Sequence, residues 1–110
     1  ALPSQNSAPT NNEKMGYYAD TGLAYLIEQL TRTYRFDFKR STICVFGGAN
    51  PSKTVDVFKI GENNLKAVRT TLNLKNISFI EQDVGGAFSR TVELNVRDGS
   101  ISIKRQPLII

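Results

Sequence analysis

The 110-residue sequence contains no histidine and only one cysteine, Cys44. Without histidine, neither a Ser–His nor a Cys–His nucleophile–base pair can form from these residues. Histidine metal sites are excluded as well, and one thiolate cannot build a zinc cage. A single cysteine makes no internal disulfide, which fits a reducing compartment. No apolar run reaches the roughly 18 residues a membrane helix needs, so no membrane insertion is expected. Residues 1–16 carry no basic-then-apolar leader pattern. Dense basic blocks are also missing. The net charge is +4, but Arg32, Arg35, Lys39, Arg40, Lys66, Arg69, Lys104 and Arg105 are scattered, as on an ordinary solvated surface. Nucleic-acid binders cluster such charge on one face, so nucleic acid is not an expected partner.

What is present is ordinary globular material: 40% apolar and 22% charged residues. The length allows one domain, residues 1–110, with a modest core. Residues 1–16, rich in Pro, Ser, Asn and Gly, read as a loop. In "YADTGLAYLIEQLTRTY", Leu23, Leu26, Ile27, Leu30 and Tyr34 recur at helical spacing, with Asp20 at the start and Arg32 and Arg35 near the end. "STICVFGG" reads as a strand, with Ile43 and Val45 on one face and Thr42, Cys44 and Phe46 on the other. Both faces are largely apolar, so a central strand covered on both sides is expected. "ANPSKTVDVF" is a loop. "IGENNLKAVRTTLNL" is a second helix with the stripe Leu65, Val68 and Leu72. "KNISFIEQD" is a strand and "GGAFSR" a turn. "TVELNV-RDG-SISIK" is a hairpin turning at Asp98-Gly99. Two helices and four strands predict an α/β (α+β mixed) fold: a helix-covered mixed sheet ending in an antiparallel hairpin.

Several positions invite chemistry. Cys44 lies mid-strand, where a free cysteine is by default a small buried hydrophobe rather than a nucleophile. Gly47-Gly48 and Gly85-Gly86 each follow an apolar strand. They match no phosphate-loop spacing. They read as strand-ending turns, or as turns sharing one sheet edge and flooring a cleft. Asp83 and Arg90 bracket the second pair and could meet as a charge-assisted pair. No second carboxylate faces Asp83, so glycosidase-like chemistry has no support.

Taken in order, these pieces resemble the chemoreceptor glutamine deamidase family, CheD. The matching residues are Leu2-Pro3, Tyr18 to Asp20, "FGGA" at Phe46, Gly47, Gly48 and Ala49, then Ile60, Gly61 and Asn64. Asp83, Gly85, Gly86 and Arg90 follow, and "DG-x-I-x-I-K-R" runs from Asp98 to Arg105. Asn63 departs from an Arg common in the family. The resemblance implies a cytoplasmic amidohydrolase with an α/β/α sandwich that needs no metal or organic cofactor. It hydrolyses glutamine side chains of methyl-accepting chemotaxis receptors to glutamate, and members often bind CheC. It also implies that the catalytic cysteine and histidine match positions upstream of Ala1. No residue of this chain is then catalytic, and the sheet lacks its N-terminal strands. Phe46, Gly47, Gly48, Ala49, Asn64, Asp83, Gly85, Gly86 and Arg90 become cleft or scaffold residues. The alternative is a non-catalytic CheD-like module that binds CheC or receptor helices.

Overall fold

A computed structural model describes residues 18–50 and 59–108. The expected loop at 1–16, Leu2-Pro3 and most of the loop after Ala49 lie outside them. Helix α1 spans Ala19–Tyr34, strand β1 Cys44–Gly47, helix α2 Ile60–Leu74, β2 Ile80–Val84, β3 Phe88–Leu94 and β4 Ile101–Pro107. A short 3-10 turn, Phe38–Arg40, precedes β1, and the Asp37 carboxylate accepts the Lys39 N–H at its start (3.0 Å).

The class is mixed α/β, as the pattern predicts. β1 and β2 pair in parallel around α2, and β3 and β4 form an antiparallel hairpin. The core gathers Ile27 of α1, Leu72 of α2 and Ile77, with Leu23, Phe38, Ile43, Val45, Val68 and Phe79 packed against it. Leu72 is 2% exposed, and burying such a side chain contributes about 1.5–3 kcal/mol. The expected α1 stripe is only partly inside. Leu23 and Ile27 reach the core, whereas Leu26 and Tyr34 are 52% and 73% exposed. Arg35 closes α1 in the left-handed conformation, and Phe36 N–H reaches back to Leu30 C=O (2.9 Å). No helix among the described residues is long and apolar enough to cross a membrane.

One sequence expectation is corrected. β1 is half-buried along its whole length. Ile43 and Val45 meet the core, while Cys44 and Phe46 on the other face are half-buried. Among the described residues β1 pairs with β2 alone. Cys44 is therefore not a fully buried hydrophobe.

Candidate functional site

Both glycine pairs stand at the carboxyl ends of the two parallel strands, the end at which open α/β sheets place their ligands. The register runs Cys44 with Ile80 and Val45 with Glu81, then slips so that Phe46 meets Asp83 and Gly47 meets Val84. Gln82 is the extra residue, and such a bulge re-aims the residues beyond it. The Gly85 N–H then donates to Gly47 C=O, and the Asn50 N–H to Gly86 C=O, both at 2.8 Å. The two turns are thus stitched to each other.

The first turn also interlocks with α2. Gly47 and Gly48 take φ values of 107° and 73°, which side chains rarely adopt, and swing the chain back over the helix start. There Gly61 is buried. A Cβ on it would lie 2.1 Å from the Ala49 carbonyl oxygen and 2.8 Å from Asn50 Oδ1. A Cβ on Gly48 would meet Gly61 O at 3.2 Å and Leu65 Cβ at 3.4 Å. "FGGAN" and "IG" are therefore one packing unit. Phe46, Ala49 and Asn64 are half-buried beside it. Among the described residues, the Asn50 and Asn64 side-chain oxygens are buried without a hydrogen-bond partner.

The second turn is held by ions. Asp83 is 9% exposed and sits between two arginines. Arg105 Nε donates to its Oδ2 at 2.7 Å, and Arg90 Nε stands 3.4 Å from its Oδ1. The buried Arg90 guanidinium also donates to the carbonyls of Gly85 and Phe88. The Arg105 hydrogen bond, helped by the charges of Arg105 and Arg90, holds the Asp83 carboxyl below the usual carboxylate range, although burial opposes the shift. Arg105 is pushed up in turn by the same bond. The Asp83–Arg90 contact was legible from spacing. Arg105 and Asn50 were not, because their partners, Asp83 and Gly86, lie far along the chain.

A hollow of about 210 Å³ lies at the opposite ends of these strands, lined by Phe38, Lys39, Ser41, Asn76, Ile77 and Ser78. None of the nine expected cleft residues lines it. No cluster of three metal-ligating side chains occurs among the described residues.

Cys44 has no base beside it among the described residues. Its Sγ lies 4.0 Å from the Gln82 amide oxygen. Because the thiol is only half-buried, Cys44→Ser should lower stability by about 1 kcal/mol, the low end of burying a hydroxyl. Activity of the full-length gene product should stay near wild type. A thousandfold loss of turnover with unchanged melting would make Cys44 the nucleophile instead.

The family "CheD chemotactic sensory transduction" matches residues 1–105. A probable chemoreceptor glutamine deamidase CheD of Caldanaerobacter subterraneus is 32% identical over 106 residues, covering 94% of this chain and 64% of the relative. The chemoreceptor glutamine deamidase CheD of Bacillus velezensis is 32% identical over 108 residues, covering 94% of the chain and 63% of the relative. A Methanosarcina mazei homologue of the same name is 36% identical over 91 residues, 79% of this chain and 40% of the relative. The chain thus spans no more than about two thirds of the length of these curated relatives.

Proposed function

The chain belongs to the CheD family, and from that membership we infer that the protein is a chemoreceptor glutamine deamidase. The reaction is hydrolysis of a side-chain carboxamide. In net terms one water is consumed, the C–N bond breaks, and glutamate and ammonia result. Its substrates are glutamines of methyl-accepting chemotaxis receptors, its compartment is the cytoplasm, and CheC is a further partner. The binding-module alternative is not favoured, because the curated relatives carry the deamidase name.

The family match over residues 1–105 carries this reading. These 110 residues hold no histidine and one cysteine, so in this reading they supply scaffold rather than a thiolate–imidazole pair. The stitched glycine turns fit that role. They fix backbone at the carboxyl ends of β1 and β2 through Gly47, Asn50, Gly85 and Gly86; Asp83 and Arg90 brace the second turn, and Phe46, Ala49 and Asn64 are half-buried beside the first. A thiolate carried elsewhere in the protein would attack a glutamine presented at this end, and water would release the glutamate.

The test is direct. The full-length gene product, incubated with receptor signalling-helix peptides, should release ammonia and convert defined glutamines to glutamate, as read by mass spectrometry. A folded protein that releases none would sink the reading.

A further inference from the structure

We draw no further inference here: the strongest candidate, the exposed apolar face of the β3–β4 hairpin formed by Phe88, Val92, Leu94 and Ile101, carries none, because nothing in the structure shows what covers it.

Discussion

Gly61→Ala should destabilise the protein by about 3 kcal/mol or more, lowering the melting temperature by roughly 10 °C or more. Helix propensity alone predicts the opposite sign, since alanine is favoured over glycine by about 1 kcal/mol inside a helix. Packing decides the contest. The new Cβ would fall 2.1 Å from the Ala49 carbonyl oxygen and 2.8 Å from its carbon. These are backbone atoms of a turn already fixed at Gly47 and Gly48, so no side-chain rotation relieves the overlap. Either α2 retreats from the turn or the turn lifts off the helix. Lifting it also strains the Asn50–Gly86 and Gly85–Gly47 hydrogen bonds. Hydrogen exchange at Asn50 and Gly85 should accelerate together with the loss of stability. An unchanged or raised melting temperature would mean that the turn does not rest on the helix as described.

The helices were legible because a 3.6-residue apolar period is local information. α2 occupies Ile60–Leu74, the stretch its stripe marks. The hairpin turn was legible because Gly99 can adopt the φ of 74° needed there. The strands were harder, since their pairing is not local. "GGAFSR" reads as a turn, yet Phe88 to Arg90 belong to β3, paired with Pro107, Gln106 and Arg105. "KNISFIEQD" reads as one strand, yet Asn76 takes a φ of 57° and Ile77 drops into the core. β2 starts only at Ile80.

The same distinction governs the site. Gly47-Gly48, Gly85-Gly86, Asp83 and Arg90 stood out by spacing within short stretches. Nothing local says that Gly61 exists to admit Ala49, or that Asn50 ties the two turns together. Nothing local adds a second cation to Asp83 either. Each of these facts needs the chain to return to itself.

The Asp83 cluster carries the second large effect. Asp83→Asn should cost more stability at neutral pH than any other single polar substitution among the described residues. The reason lies with Arg90, whose side chain is 5% exposed. A guanidinium cannot shed its proton, so removing the carboxylate leaves a buried cation without a counter-charge. Arg105, half exposed, can turn to water; Arg90, bound to Gly85 and Phe88 carbonyls, cannot. The pH dependence comes from the depressed carboxyl. Its contribution is fully present above the unfolded carboxylate pKa of about 3.9 and is lost as pH falls through the lower folded value. Thermal melts of wild type and Asp83→Asn should therefore differ widely near neutrality and converge in strong acid, where protonation of Asp83 makes the same change. The double variant Asp83→Asn/Arg90→Met should recover part of the loss, because the stranded charge is gone. A constant gap across the whole pH range, or a double variant that melts lower by the sum of both losses, would show that the cluster does not act through charge.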